Sequence, residues 1–194
     1  MNLHSNNKQT RIIFITGGAR SGKSSFALRQ AEKIDGRKLF IATAQPLDAE
    51  MAERVKTHRE ERSPEWDTAE VSSEIGETLE NNGPYYQVIL IDCLTLWLFN
   101  VMGGHAETSD CETKVIETID TLMNRLQDVQ RSPQRFENLS SIFFVSNEVG
   151  MGIVPGNRSA RIFRDMAGRL NQKVAQIADE VYLMVSGLPL QLKR

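Results

Sequence analysis

The sequence contains few of the residues that build disulfide frameworks and metal centres. Two cysteines and three histidines occur in a chain of 194 residues. Cys93 and Cys111 lack the close spacing of a metal-binding motif, so the pattern indicates neither a disulfide scaffold nor a structural zinc site. Scarce cysteine is typical of a reducing compartment, and we expect a cytoplasmic protein.

Long apolar runs and a strong charge of either sign are also lacking. No apolar stretch approaches the roughly 18 residues of a membrane-spanning helix, so we expect no membrane insertion. The net charge of −2 leaves no basic field for nucleic acid, and no such partner is expected. Residues 1–10 are polar and without the apolar region of a secretion signal. We expect them to form a disordered extension before a single domain over 11–194.

Short apolar runs alternate with helical patterns along the rest of the chain. The predicted strands cover 11–16, 38–43, 87–93, 141–146 and 180–185, and the predicted helices cover 23–34, 49–61, 73–81, 113–131 and 159–178. This order favours an α/β fold with helices on both faces of a mostly parallel sheet. Ligands are expected at the edge where the carboxyl ends of the strands meet.

The last predicted helix displays two kinds of face. Apolar residues recur at steps of three and four, which predicts that one stripe faces the core: Ile162, Met166, Leu170, Val174 and Ile177. Arginines lie off this stripe, and those near the helix start are candidates to face a phosphate site: Arg158, Arg161, Arg164 and Arg169.

The strongest functional signal follows the first predicted strand. Residues 17–24 match the phosphate-binding loop G-x-x-x-x-G-K-[ST] in its strand–loop–helix setting. The glycines let backbone N–H groups point at phosphate oxygens, and the following helix N-terminus adds partial positive charge. Lys23 is predicted to reach the terminal phosphates as a catalytic residue, and the Ser24 hydroxyl to ligate Mg²⁺. The predicted phosphate-binding residues are Gly17, Gly18, Ala19, Arg20, Ser21, Gly22, Lys23 and Ser24. We therefore expect an α/β, P-loop NTPase-like three-layer fold with a mostly parallel central sheet.

Asp92 provides a second signal, because it follows four apolar residues at 88–91. This pattern is typical of the strand that ends beside the phosphate loop in nucleotide hydrolases and kinases. We interpret Asp92 as a Mg²⁺ ligand, direct or through water. The alternative is an acid that merely ends a strand.

His58 lies among charged residues at the end of a predicted helix. From spacing alone, an exposed surface histidine is the better interpretation. A largely neutral imidazole is nevertheless able to attack a phosphoryl centre, and Arg59 and Arg62 are placed to neutralise nucleotide phosphates. Glu70 ends a short run and is a candidate for contact with a sugar or base. A polar loop at 146–155 follows another predicted strand and is either a functional loop or a long connection.

These segments occur together in one known family. The segments are 17–24, 41–45, His58-x-x-x-Arg62-x-x-x-Trp66, 68–70, 147–155 and 164–172. Over about residues 11–187, the chain resembles the bifunctional adenosylcobinamide kinase / adenosylcobinamide-phosphate guanylyltransferase family of cobalamin biosynthesis. The phosphate loop alone is generic, whereas the loop at 147–155 combined with the His58 segment is much more specific.

The resemblance implies two activities. Such enzymes phosphorylate adenosylcobinamide with ATP or GTP, and then transfer GMP from GTP through a GMP–histidine intermediate to give adenosylcobinamide-GDP. The matching histidine is His58. The resemblance also implies Mg²⁺, a homo-oligomer such as a trimer, and a guanine-nucleotide site lined by Ile41, Ala42, Thr43, Arg59, Glu60, Glu61, Arg62, Glu70 and Asp92.

Three alternative functions can be compared with the residues. A P-loop small-metabolite kinase without nucleotidyl transfer explains the loop and Asp92 but gives His58 no role. A regulatory GTPase needs an Asn-Lys-x-Asp segment after a later strand, which the sequence lacks. A nucleotide-binding protein without catalysis is disfavoured because Lys23, Ser24 and Asp92 are all present.

Overall fold

A computed structural model of the protein describes residues 9–45, 63–103 and 110–194. The predicted helix at 49–61 lies outside these ranges, as do residues 1–8. The described elements, in chain order, are β1 (Arg11–Gly17), α1 (Lys23–Ala31), β2 (Lys38–Ala42), β3 (Trp66–Glu70), α2 (Ile75–Asn82), a 3₁₀ helix (Gly83–Tyr85), β4 (Val88–Asp92), α3 (Leu94–Met102), α4 (Cys111–Arg131), β5 (Ser141–Asn147), α5 (Arg158–Ile177), β6 (Glu180–Val185) and β7 (Leu188–Lys193).

The strands form one sheet in the order β3-β2-β4-β5-β1-β6-β7. All neighbouring pairs are parallel except β6 and β7, which are antiparallel. This arrangement confirms the predicted α/β fold with a mostly parallel sheet. The sheet order also shows that β5 lies between β4 and β1. The strand that ends in Asp92 is therefore not the hydrogen-bonded neighbour of the strand that leads into the phosphate loop.

Two strands were not predicted, and both lie at an edge of the sheet. In β3 only Trp66 is buried, since its other side chains are polar or small and reach solvent. In β7 leucines alternate with Pro189, Gln191 and Lys193, and none of its residues is buried. Neither strand has the continuous apolar run that identifies the buried central strands.

The core has two halves, one on each face of the sheet, which confirms the three-layer arrangement. Alternate residues of each strand belong to opposite halves, as the two-residue period of a strand requires. On β1, for example, Ile12 and Phe14 pack with helices α2 to α5, whereas Ile13 and Ile15 pack with α1. The predicted stripe of α5 is buried apart from Ile177, which is only half-buried.

The described residues include Thr10, which precedes the predicted boundary at residue 11. Thr10 is buried, and its hydroxyl donates to the carbonyl of Leu139 at 2.8 Å. Residue 10 therefore belongs to the folded domain and not to the predicted extension. Among the helices that the structure describes, none is both long and apolar enough to cross a bilayer.

Candidate functional site

The phosphate-loop motif occupies the turn between β1 and α1. The strand ends at Gly17 and the helix begins at Lys23, so the two ends of the motif coincide with the ends of the two elements. The N-cap of α1 is Gly22, which supplies no side-chain hydrogen bond to the helix. The first N–H groups of α1 are consequently not capped by a side chain, which is the arrangement that an anion-binding helix start requires.

Two glycines of the loop are required by its backbone. Gly17 has φ 149°, and a Cβ there would lie 2.5 Å from the carbonyl oxygen of Met184 and 2.9 Å from Ser21 Oγ. Gly22 has φ 92° and ψ 12°, a left-handed conformation that L side chains rarely adopt. The loop is therefore tight because its backbone passes close to β6 and turns through conformations that favour glycine.

Lys23 is buried within the loop and folded back on it. The residue is 7% exposed, and its Nζ donates to the carbonyl of Gly18 at 2.7 Å. Burial lowers the pKa of Lys23 from its ordinary value of 10.5, and the nearby Asp92 carboxylate partly opposes that shift. The ammonium group is poorly solvated and has one carbonyl partner in the loop. Exchanging that carbonyl for a charged phosphate oxygen is therefore favourable.

Asp92 lies at the same edge of the sheet as the loop. Parallel register places Ala42 of β2 beside both Asp92 of β4 and Glu70 of β3. The Asp92 carboxylate raises the pKa of Lys23, against the larger effect of burial, although β5 lies between β4 and the strand that leads into the loop. The structure therefore brings the predicted phosphate loop and the predicted metal-binding acid into one site, with Glu70 exposed further along the edge.

The donor set at this edge suits Mg²⁺ better than a softer metal. Ser24 and Asp92 offer oxygen atoms, and the described residues contain no group of three or more His, Cys, Asp or Glu side chains that would hold a metal alone. Mg²⁺ typically takes one or two protein oxygens and completes its shell with phosphates and water. Ser24 and Asp92 fit that coordination preference.

Three further predicted site residues, Ile41, Ala42 and Thr43, have buried side chains. Ile41 belongs to the core half under α2 to α5, and Ala42 to the half under α1. The Thr43 hydroxyl donates to the carbonyl of Cys93 at 2.7 Å and accepts from its N–H at 2.8 Å. These side chains are thus occupied by packing and backbone contacts, and a role in lining a nucleotide site stays a prediction.

The structure also reveals polar contacts that sequence reasoning missed. Thr95 of α3 accepts a hydrogen bond from the N–H of Asn147 at 2.6 Å, and Asn171 of α5 donates to the carbonyl of Asn147 at 3.1 Å. Thr95 is buried, and Asn171 is a buried amide within an otherwise apolar helix stripe. The sequence offers one sign of this role: Asn171 is a polar residue that follows Leu170 on the buried side of the helix.

The turn between β6 and β7 contacts the phosphate loop. Gly187 donates its N–H to the carbonyl of Ser21 at 3.0 Å, and its Cα would lie 3.3 Å from a Cβ placed on Gly22. Ser186 and Gly187 both have positive φ, which closes the tight turn. The terminal hairpin thus supports the loop from the side opposite to β5.

The remaining predicted site residues lie outside the part of the chain that the structure describes. These are His58, Arg59, Glu60, Glu61 and Arg62. Their predicted roles as nucleophile and nucleotide ligands stay predictions.

These features define a P-loop NTPase fold: a mostly parallel sheet, a glycine-bounded loop with a lysine inside it, and an acid at a nearby strand end. Solved structures with this fold are similar. The RadB recombinase aligns with a TM-score of 0.51 over 91% of this chain and 74% of that chain, at 10% identity. An ATPase from the type III secretion system of pathogenic bacteria aligns with a TM-score of 0.52 over 90% and 52%, at 11% identity. Such low identities establish the fold alone.

Sequence comparison defines the family. A family model described as "Cobinamide kinase / cobinamide phosphate guanyltransferase" matches residues 13–192. The bifunctional adenosylcobalamin biosynthesis protein CobU of Salmonella typhimurium is 40% identical over 190 residues, covering 94% of this chain and 99% of that protein. Its counterpart from Escherichia coli K12 is 39% identical over 186 residues with the same coverage. The chain belongs to the cobinamide kinase / cobinamide phosphate guanyltransferase family, which confirms the resemblance inferred from the motifs.

Proposed function

We propose that this protein phosphorylates adenosylcobinamide with ATP or GTP and then transfers GMP from GTP to the product, forming adenosylcobinamide-GDP. The observation that carries the proposal is an intact phosphate loop, with Lys23 buried inside it, in a chain that aligns with bifunctional relatives over 94% of its length. Enzymes of this kind are transferases, and both steps use a nucleoside triphosphate.

In the kinase step, the chain's own residues bind and orient the phosphates. The loop N–H groups and the start of α1 hold phosphate oxygens, and Lys23 exchanges the carbonyl of Gly18 for a terminal phosphate oxygen. Ser24 and Asp92 are the residues that would hold Mg²⁺, which neutralises phosphate charge when bound. The oxygen of the substrate hydroxyl then forms a bond to the terminal phosphorus as the bond to the departing nucleoside diphosphate breaks, and the hydroxyl proton passes to a phosphate oxygen or to water.

In the guanylyl step, His58 is the proposed nucleophile. One imidazole nitrogen forms a bond to the α-phosphorus of GTP while the bond to pyrophosphate breaks. An oxygen of the cobinamide phosphate then attacks the same phosphorus and releases the imidazole. Arg59 and Arg62 are proposed to stabilise the phosphate charge, and Glu70 to contact the sugar or base. This assignment rests on the match to the family pattern.

Covalent labelling tests the guanylyl step. The protein is incubated with GTP labelled at the α-phosphate and Mg²⁺, denatured, and washed with acid or alkali. We expect a label that acid removes and alkali does not, absent in His58→Ala and retained in His105→Ala, a matched control among the three histidines of the chain. A label that persists in His58→Ala would assign the nucleophile elsewhere.

Phosphorylation of adenosylcobinamide tests the kinase step separately. Lys23→Ala should abolish it, whereas Lys33→Ala, which alters an exposed lysine bonded only to Gln30 in the described structure, should leave it unchanged. Phosphorylation without any covalent label would favour the alternative, a kinase on the same fold without nucleotidyl transfer. Undiminished phosphorylation by Lys23→Ala would remove the phosphate loop from the mechanism.

We also propose that the protein is a homo-oligomer such as a trimer. Support comes from the outer face of the β6–β7 hairpin, where four apolar side chains are more than half exposed: Val185, Leu188, Leu190 and Leu192. Light scattering after size-exclusion chromatography measures the mass, and Leu190→Lys should lower it if this face is the interface. We further propose that the enzyme acts in the cytoplasm. Its two thiols are buried and unpaired, and they stay reduced in that compartment.

A further inference from the structure

The connection between β5 and α5 takes no part in the proposed mechanism, although it begins beside the phosphate loop. Asn147, the last residue of β5, is the register partner of Gly17, the last residue of β1. The next residue, Glu148, donates its N–H to the carbonyl of Gly17 at 2.9 Å. The connection therefore leaves the sheet at the edge where the nucleotide phosphates are proposed to bind.

Hydrogen bonds hold this connection at both of its ends. At its start, the N–H of Gly150 donates to Glu148 Oε1 at 2.6 Å. At its end, the guanidinium of Arg161 on α5 donates to the carbonyl of Gly156 at 2.7 Å. Residues 151–154 lie between these two fixed points.

Three apolar side chains of this segment extend into solvent. Met151, Ile153 and Val154 are 79%, 97% and 61% exposed. A single exposed apolar residue is ordinary, but three within four residues form a patch of the kind that marks a binding surface. These three side chains are called the apolar loop surface below. Because they stay in solvent, they contribute little to the stability of the folded chain.

Gly152 lies in the middle of the apolar loop surface and is not explained by the fold. A Cβ at this position would meet no atom within 4 Å, and its φ is not positive. Neither packing nor backbone conformation therefore requires glycine here. A third reason for glycine is the close approach of a ligand to the backbone, and the exposed neighbours of Gly152 favour that reason.

The backbone of the segment is also available to a ligand. Among the residues that the structure describes, the N–H groups of residues 151 to 154 donate to no protein acceptor. A corrin macrocycle carries methyl groups and amide arms around its ring, so it offers both apolar contacts and hydrogen-bond acceptors. A nucleotide base is smaller and is recognised through its polar edge, whereas the three side chains of the apolar loop surface offer no N–H or O–H donor. The surface therefore suits the acceptor better than the nucleotide.

We propose that the apolar loop surface binds the corrin macrocycle of adenosylcobinamide, with the ring passing close over Gly152. This inference rests on the proposed function, which supplies the acceptor. In phosphoryl transfer the attacking and leaving oxygens lie in line through the terminal phosphorus. The acceptor must therefore approach the phosphates at the carboxyl edge of the sheet, and the apolar loop surface begins four residues after the contact with Gly17 at that edge.

Corrinoid binding without turnover tests the assignment. Equilibrium dialysis, read by the visible absorbance of adenosylcobinamide, gives its Kd in the presence of a non-hydrolysable ATP analogue and Mg²⁺. Burial of one large aliphatic side chain changes affinity by about tenfold or more. We expect Ile153→Ser to weaken adenosylcobinamide by about that factor, because contact is lost, and Gly152→Val to weaken it by about tenfold or more, because the ring is obstructed.

The same variants should leave three other properties unchanged. Isothermal titration should give a Kd for the ATP analogue within about twofold of wild type, and the thermal midpoint and the mass from light scattering should not change. Tyr85→Ser is the matched control, because Tyr85 is 65% exposed in the 3₁₀ helix before β4, at the opposite edge of the sheet. This control should bind both ligands as wild type does.

Each contrary result has a distinct meaning. Wild-type corrinoid affinity in both Ile153→Ser and Gly152→Val would overturn the inference while the proposed function stands. A matching loss of nucleotide affinity would overturn it by assigning the surface to the nucleotide, and a fall in mass would overturn it by assigning the surface to a second copy of the chain. Wild type that binds the ATP analogue but not adenosylcobinamide would overturn the proposed function itself.

Discussion

Replacing Thr43 by valine removes one hydroxyl and keeps the shape of the side chain. Thr43 is 0% exposed and its hydroxyl forms two hydrogen bonds with the backbone of Cys93, as donor at 2.7 Å and as acceptor at 2.8 Å. Its own N–H donates to the carbonyl of Asp92, and its carbonyl accepts from Asn100. Thr43 thus joins the end of β2 to the junction of β4 and α3.

The size of the effect follows from what each Cys93 group retains. The Cys93 N–H loses its acceptor in a buried place, which costs about 1–3 kcal/mol. The Cys93 carbonyl still accepts a hydrogen bond from the N–H of Trp97 at 3.1 Å. Losing its bond to the Thr43 hydroxyl therefore costs only about 0.5–1.5 kcal/mol. We expect Thr43→Val to lower the free energy of unfolding by about 2–4 kcal/mol, which corresponds to a fall in Tm of about 5–15 °C at this chain length.

Urea unfolding followed by tryptophan fluorescence measures the change, since Trp66 and Trp97 are both buried in the folded protein. Thr43→Ser keeps the hydroxyl and should be much less affected. Thr118→Val removes a hydroxyl that donates to the exposed helix carbonyl of Lys114, and its effect should stay within about 0.5 kcal/mol. A Thr43→Val protein as stable as wild type but weak in nucleotide binding would refute the reasoning and assign the hydroxyl to the ligand.

The remaining predictions concern the loop and the thiols. Gly17→Ala should lower Tm and nucleotide affinity together, because its Cβ meets the Met184 carbonyl at 2.5 Å; wild-type values for both would contradict the close approach. Lys23→Met should raise the stability of the nucleotide-free protein in urea titrations at neutral pH. Burial lowers the folded-state pKa of Lys23, so the unfolded chain binds its proton more tightly, and the advantage of the variant should shrink as pH rises through that lowered pKa toward 10.5. Burial also raises the pKa of Cys93 to about 12, so neither it nor buried Cys111 should react with Ellman's reagent until urea unfolds the protein.

The central strands and the phosphate loop could be predicted because one physical requirement determines each of them. A strand buried on both faces needs a continuous apolar run, as at 88–91. A phosphate cradle needs its glycines and lysine at fixed spacing, so Gly17 and Lys23 mark where β1 ends and α1 begins.

Edge strands and long-range polar contacts could not be predicted in the same way. β3 and β7 are specified by pairing with a neighbour more than by burial of their own side chains. The contact between Asn171 and Asn147 joins a helix to a strand end, and no local pattern encodes such a pairing. The position of β5 between β4 and β1 is likewise a property of the topology.

The hydrogen bond between Gly187 and Ser21 makes nucleotide affinity a reporter of complete folding. The loop lies between the first strand and first helix of the described order, whereas the turn that supports it joins the last two strands. Contacts so distant in sequence form only after most of the chain has ordered, because the entropy of closing a long loop opposes them. A partly folded chain with a detached hairpin would keep its central sheet and still present an unsupported loop, so recovery of binding during refolding should coincide with the last structural phase.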